Sequence, residues 1–329
     1  MEAKHRIVWI DAARGVGIFL IVLGHTPLPG FVFQYLFSFH VPLFFFISGL
    51  LFQKEKFPTW QSFLDHRGRR LLLSYAVFCV LIFLYWIIWG HNTAYEPMGT
   101  QPFWGIFYGS NALKFIFTPL WFLPCLFLTE NIFYLLEKYF KHAWLIFSII
   151  LLAVIGIIYG RLGLPHLPWS FEVMPVALSF YFLGFVSKDY LVKTRIDWFL
   201  PLIFMASLIF ALLNSRVDLL NHTYGNWFLF YIAALSGIGL IIGFAQLWPG
   251  KILQRIGRDA LYIFALNQVF LHLLRYLTNQ IWPSFNFGEI GKINFLIGLG
   301  LTVAAIGCCY LVILIYQKLV LRFDFFQRK

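Results

Sequence analysis

Apolar residues run in ten long blocks along this chain, near 7–27, 31–52, 71–90, 113–136, 143–160, 171–187, 197–213, 226–247, 260–281 and 293–317. A helix rises about 1.5 Å per residue, so roughly 20 apolar residues cross the hydrocarbon core of a bilayer. The pattern predicts an all-α integral membrane protein of about ten transmembrane helices. Pro119 and Pro124 predict a kink in the fourth. Two polar stretches are longer than the rest. Residues 53–70 read as a basic loop, and 91–112 as a loop on the other side carrying His91, Tyr95, Glu96, Trp104 and Tyr108. Long ordered loops are often functional.

Composition narrows the class. Of 329 residues 60% are hydrophobic and 12% charged, with mean hydropathy +0.78. Soluble domains average roughly 45–50% apolar and about 25% charged. An ordinary cytosolic enzyme, a disordered chain and a coiled coil are excluded. Ten spans use about 200 residues, so a single transmembrane domain over 1–329, with no soluble domain, is expected. The first block carries Asp11 and Arg14 and lacks a small-residue cleavage site, so it reads as a permanent span rather than a signal peptide.

The net charge of +11 would suggest nucleic acid in a soluble protein. Its distribution says otherwise. With ten spans and a cytoplasmic N-terminus, only Lys114, Arg161, Arg216 and Lys292 of the 25 Lys and Arg residues face outward. Arg14 and Arg275 lie within spans and the others face inward. Such a bias predicts both termini in the cytoplasm and multi-pass insertion in a membrane, with lipids rather than nucleic acid as partners. Cys79, Cys125, Cys308 and Cys309 all lie in apolar blocks without zinc-type spacing, so they read as core residues and no metal is expected. Gly156/Gly160 and Gly239/Gly243 form GxxxG pairs, which point to close helix packing before a dimer interface. Asn221-His222-Thr223 matches a glycosylation sequon on the outer side.

Charges within a bilayer are costly, and each is a functional candidate. In the first span Asp11, Arg14 and His25 share one helical stripe, with His25 about 16 Å beyond Arg14 along the axis. One reading is a paired anchor, Asp11–Arg14, with a satisfied polar His25 at the outer rim; the other is a catalytic stripe. His40 stands in the second span, two residues before Pro42, either as a catalytic or binding group or as a cap for carbonyls freed by the proline. Arg67, Arg69 and Arg70 present guanidinium forks suited to phosphate, or serve only topology and lipid headgroups. The ninth span gathers Asn267, Gln268, His272 and Arg275, the last placed to snorkel outward. Glu130 and Asn131 lie near the inner end of the fourth span, within reach of a basic residue, and Glu172 opens the sixth at the outer face. Each of these residues also has a purely structural reading.

As a set the segments resemble the acyltransferase-3 family of membrane proteins. Ile10-Asp11-Ala12-Ala13-Arg14-Gly15 running to Gly24-His25 is similar to its first-helix signature, and Arg14 and His25 fit its Arg-x10-His motif. Phe39-His40-Val41-Pro42-Leu43-Phe44-Phe45-Phe46-Ile47-Ser48-Gly49 resembles its second-helix motif. Arg67-Gly68-Arg69-Arg70, Pro119-Leu120-Trp121-Phe122-Leu123 and Gly257-Arg258-Asp259-Ala260-Leu261-Tyr262-Ile263 resemble three further segments, in the family's order. Ala260 stands where Ser is common and Asn267 where a late His is common. No SGNH-type hydrolase segment follows the last block, which suggests direct transfer. The short form looks most like the fucose 4-O-acetylase-like and exopolysaccharide O-acyltransferase branch.

The resemblance implies transfer of an acyl group, acetyl first and succinyl second, from cytoplasmic acyl-CoA to a sugar hydroxyl of a surface or exopolysaccharide glycan or its lipid-linked precursor. Acyl-CoA is then a co-substrate, held by Arg67, Arg70 and Arg14. His25 is the expected general base, with Asp11 pairing Arg14. His40, Asn267 and Gln268 are candidates for oxyanion or sugar contacts, and Trp104 for sugar stacking. A homodimer, or association with polysaccharide-synthesis machinery, would fit. The competing class is a transporter or flippase for a glycan or anionic solute, against which no inverted repeat of spans is evident.

Overall fold

Each of the ten apolar blocks carries helix in the computed structural model, which describes residues 7–89, 101–111, 113, 115–196, 199–282 and 295–327. The helices are α1 (Val8–Gly24), α2 (Gly30–Phe37), α3 (His40–Leu50), α4 (Trp60–Arg67), α5 (Leu73–Ile88), α6 (Gln101–Tyr108), α7 (Phe122–Tyr139), α8 (His142–Arg161), α9 (Met174–Lys193), α10 (Leu200–Leu213), α11 (Trp227–Leu247), α12 (Lys251–Arg258), α13 (Ala260–Ile281) and α14 (Phe295–Gln327). Among the described residues there is no β-strand beyond one isolated bridge, Asp218–Thr223. Eight helical segments are long and apolar enough to cross a bilayer. The first and seventh blocks make shorter helices, α1 with 17 residues and α10 with 14. The chain is a multi-pass membrane protein.

Three segments differ from the sequence reading. Residues 53–70 are not a loop. A 3-10 turn at Lys54–Lys56 leads into α4, capped by Thr59 and Ser62, and a π-helical turn over Gly68–Leu72 joins α4 directly to α5. The arginines therefore stand on continuous helix. The second block is broken. Pro42 has no N–H for the Ser38 carbonyl and its ring crowds that oxygen, so α2 ends at Phe37 and α3 starts at His40. In the fourth block Pro119 lies in a 3-10 segment, Phe115–Trp121, which passes into α7 at Phe122. Of the second long loop, His91, Tyr95 and Glu96 lie outside the described residues.

Side-chain volume explains the packing. α1 is the central helix and touches α2, α3, α11, α12, α13 and α14. Its small residues Ala12, Ala13, Gly15 and Gly17 are buried. A Cβ at Gly15 would meet the Leu253 carbonyl oxygen at 2.1 Å, and one at Gly257 would meet that of Asp11 at 1.8 Å. α12 is thus pressed backbone to backbone across α1. α3 and α9 cross in the same way: Gly49 faces the Tyr181 carbonyl and Gly184 the Phe46 carbonyl. Small residues at such crossings let membrane helices approach. Gly49→Ala is expected to cost ~1–3 kcal/mol through overpacking, read as a lower thermal midpoint in detergent; an unchanged midpoint would mean that this crossing relaxes freely. The GxxxG pairs also lie against neighbours in the fold, Gly156 on Val176, Gly160 on the His222 carbonyl and Gly243 on Leu200. α8 turns Phe147, Ile150, Leu151, Val154 and Ile158 outward, as a helix facing lipid does.

The connections sort onto two faces. On one, Lys54 pairs with Glu137 at 2.5 Å and Lys188 donates to the Phe52 carbonyl at 3.4 Å. On the other, Tyr108, Asn111, His166 and Asn221 bond one another or their backbones. This alternation is what successive spans require, and the first of the two is the basic face.

Candidate functional site

α1 sets the site. Arg14, Ile21 and His25 fall on one stripe of this helix and line one cavity of about 690 Å³, within the ~300–1,000 Å³ of small-molecule sites. Gln53, Lys56, Phe57, His66, Arg67, Arg70 and Arg258 line it toward the basic face. Phe44, Phe122 and Phe264 also line it, their rings in edge contact through Phe122. His25, His40, Pro119 and Trp121 line it as well. His25 follows the last residue of α1 and His40 is the first of antiparallel α3, so the two imidazoles stand at adjoining helix ends away from the basic face.

The two histidines are held differently. Nδ1 of His40 lies 2.6 Å from the Leu36 carbonyl oxygen. A carbonyl only accepts, so Nδ1 carries the hydrogen and the neutral ring keeps its lone pair on Nε2. His40 thus caps the broken end of α2 and also lines the cavity. His25 is half-buried, and among the described residues its ring makes no hydrogen bond. Its backbone is fixed instead: Nη2 of Arg275 donates to the His25 carbonyl at 2.7 Å. A guanidinium at a helix C-terminus also complements the helix dipole. Arg275 therefore turns inward to the end of α1 rather than to the headgroups.

Charge in the cavity is one-sided. Its lining holds Arg14, Lys56, Arg67, Arg70 and Arg258 against one carboxylate, Glu130. Arg67 is buried, with Nε 3.2 Å from Oε2 of Glu130, an ion pair rather than an aligned hydrogen bond. Its guanidinium also lies 5.2 Å from the centre of the Phe63 ring. Arg70 is exposed and stands at the mouth. Arg69 is exposed and is not among the lining residues. The π turn that carries Arg69 and Arg70 is a backbone irregularity of the kind common at functional sites. Such a funnel suits a polyanionic ligand.

The remaining candidates fall elsewhere. Asp11 is buried where α12 crosses α1 and does not line the cavity. Asn267 is fully buried and returns its amide to the Ile263 and Phe264 carbonyls of its own helix. Gln268 is half-buried and also lies off the lining. Trp104, on α6, is 68% exposed and outside it. Asn131 bonds the Phe127 carbonyl, and His272 accepts from or donates to the Tyr85 hydroxyl at 2.8 Å. The sequence reading missed Lys56, His66 and Arg258 as lining residues. Arg258 was legible as a basic residue inside a resembling segment; Lys56 and His66 carried no signal beyond charge.

Each resembling segment sends residues to this one cavity: Arg14 and His25, then His40, Phe44 and Ser48, Arg67 and Arg70, Pro119 and Trp121, and finally Gly257, Arg258 and Ala260. No curated protein and no solved structure matches the chain. A family model described as an acyltransferase domain matches residues 7–314. With nearly the whole chain covered, this protein belongs to the acyltransferase-3 family of membrane acyltransferases.

Proposed function

We propose that the cavity transfers an acyl group from cytoplasmic acyl-CoA to a hydroxyl of a surface or exopolysaccharide sugar on the opposite side of the membrane. One observation carries this reading: a single cavity runs from a cluster of cations to two histidines at adjoining helix ends. Coenzyme A has a polyanionic nucleotide head and a long narrow arm. Arg70, Arg258 and Lys56 would hold the head, with Arg14 and Arg67 deeper. The arm would follow the Arg14–Ile21–His25 stripe and bring the thioester to His25.

In this mechanism Nε2 or Nδ1 of His25 takes the proton of the sugar hydroxyl as its oxygen attacks the thioester carbon. The tetrahedral intermediate then collapses with loss of the coenzyme thiolate, which recovers the proton from the imidazolium. His40 presents a lone pair on Nε2, so in its neutral form it accepts a hydrogen bond from a sugar hydroxyl and does not donate to an oxyanion. Trp121, on the lining, is the aromatic surface for the sugar in place of Trp104. Asp11, Asn267 and Gln268 support the helices around the site rather than touch the substrate. The acyl group is acetyl in first place and succinyl in second. The acceptor is a glycan or its lipid-linked precursor, and the protein works in the bacterial inner membrane with both termini cytoplasmic, within the fucose 4-O-acetylase-like or exopolysaccharide branch. A second copy and polysaccharide-synthesis machinery are the protein partners that fit.

Coenzyme A and acetyl-CoA are expected to raise the thermal midpoint of the detergent-purified protein. Arg70→Ala is expected to weaken that binding roughly tenfold or more, since one hydrogen bond to a charged group is worth about 1.5–3 kcal/mol, with little loss of stability because Arg70 is exposed. Unchanged affinity would return Arg70 to a topological role. Mass spectrometry of the host's surface glycans with and without the gene would name acyl group and acceptor together. Solute uptake without acyl turnover would favour a transporter instead.

A further inference from the structure

On the face opposite the basic one, three metal-ligating side chains converge outside the cavity. They are His166 in the segment before α9, Glu172 just ahead of α9, and His222 in the connection between α10 and α11. Their ligand atoms all lie within 4.8 Å of one another. Nδ1 of His166 is 3.0 Å from Oε1 of Glu172, and Nδ1 of His222 is 3.8 Å from the same oxygen. Glu172 and His222 are 3% and 7% exposed. Among the described residues Nδ1 of His222 has no hydrogen-bond partner, although it is buried and 3.8 Å from the carboxylate. A hydrogen-bonded cluster explains His166 and leaves that atom unexplained.

We infer that His166, Glu172 and His222 form a binding site for a divalent transition cation, zinc in particular. Two imidazoles and a carboxylate are a zinc donor set, with bonds of about 2.0–2.2 Å. In tetrahedral geometry such bonds put ligand atoms about 3.3 Å apart, between the 3.0 and 3.8 Å of the two histidine–carboxylate pairs, and all three ligand atoms lie within 4.8 Å. The outer shell is also built. Asn111 meets Nε2 of His166 at 2.7 Å and donates to Asn221 at 2.8 Å, and Asn221 donates to Asp218 at 2.7 Å. The Leu167 N–H donates to the second Glu172 oxygen at 3.1 Å. Such partners orient ligands and set the imidazole tautomer. On binding, the neutral ring of His166 changes tautomer: Nδ1 gives up its hydrogen to make room for the cation and Nε2 takes one up from solvent, so this imidazole releases no net proton. Nε2 then carries the hydrogen and donates to the amide oxygen of Asn111 after a flip of that amide. The fourth position is left to water. The site ties the segment before α9 to the α10–α11 connection, and it does not depend on the acyl-transfer reading.

The sequence showed none of this, because His166 and His222 stand in separate connections without metal-type spacing. The test uses full-length protein in detergent, without a histidine tag, stripped with chelator and then titrated with Zn²⁺ or Co²⁺ alone. Expected results are one bound equivalent, a higher thermal midpoint, and the visible absorption of four-coordinate Co²⁺. His222→Ala and Glu172→Gln should abolish all three, and Asn111→Ala should weaken binding roughly 10–100-fold. If His222→Ala fails to fold, His222→Gln replaces it. A wild-type midpoint indifferent to metal and chelator, or the same metal response in wild type and Glu172→Gln, would overturn the inference and leave a hydrogen-bonded His–Glu–His cluster.

Discussion

Replacing His25 with Ala is expected to lower the rate of acyl transfer roughly 100- to 10,000-fold, the usual contribution of a positioned general base. The substitution removes a half-buried ring that makes no hydrogen bond among the described residues, so the fold has little to lose. The backbone at this point is held by Arg275 through the His25 carbonyl, which the substitution leaves in place. The thermal midpoint and the affinity for coenzyme A should therefore stay near wild type while turnover falls. His40→Ala is the informative comparison. It also strips the Leu36 carbonyl of its 2.6 Å partner, so it should lower stability and activity together. Substantial turnover from a well-folded His25→Ala protein would sink the general-base proposal and move the chemistry to His40.

The second large effect is one of stability. Glu130→Ala leaves the buried Arg67 guanidinium without its carboxylate. Removing one member of a buried pair typically costs about 3–5 kcal/mol, because the surviving charge is uncompensated. Arg14 and Arg70 also act on the same carboxylate, which adds like-charge repulsion once it is gone. A double change, Arg67→Met with Glu130→Leu, removes both charges and should recover most of the thermal midpoint, since apolar replacement of a buried pair is often neutral or stabilising. If Glu130→Ala unfolds no more readily than wild type, the cavity is wet enough for solvent to replace the carboxylate.

Much of this architecture was legible along the chain for a simple reason. A bilayer offers no partner for backbone groups, so a block of about 20 apolar residues has one available structure. The errors came where that argument stops. Residues 53–70 are polar enough to read as a loop, yet the Thr59–Ser62 cap starts a helix that continues through the π turn into α5. The break at Ser38–Phe39 was signalled by Pro42, whose effect falls four residues earlier.

The sequence by itself determined the apolar helical blocks, eight of which are long and apolar enough to cross a bilayer, and the stripe joining Arg14 to His25, because each follows from local spacing along the chain. Its early placement of Glu130 beside a basic residue also stands, as the Arg67 pair shows. Only the tertiary structure decided which polar residues share a space. Asn267 and Gln268 are as polar as His40, but the cavity meets α13 at Ala260, Leu261 and Phe264 and does not reach the next turn. Arg258 reaches it because the glycine contacts press α12 onto α1, and His66 because α4 packs against α7. His166, Glu172 and His222 met in the same way, by the packing of separate connections, which no spacing along the chain encodes.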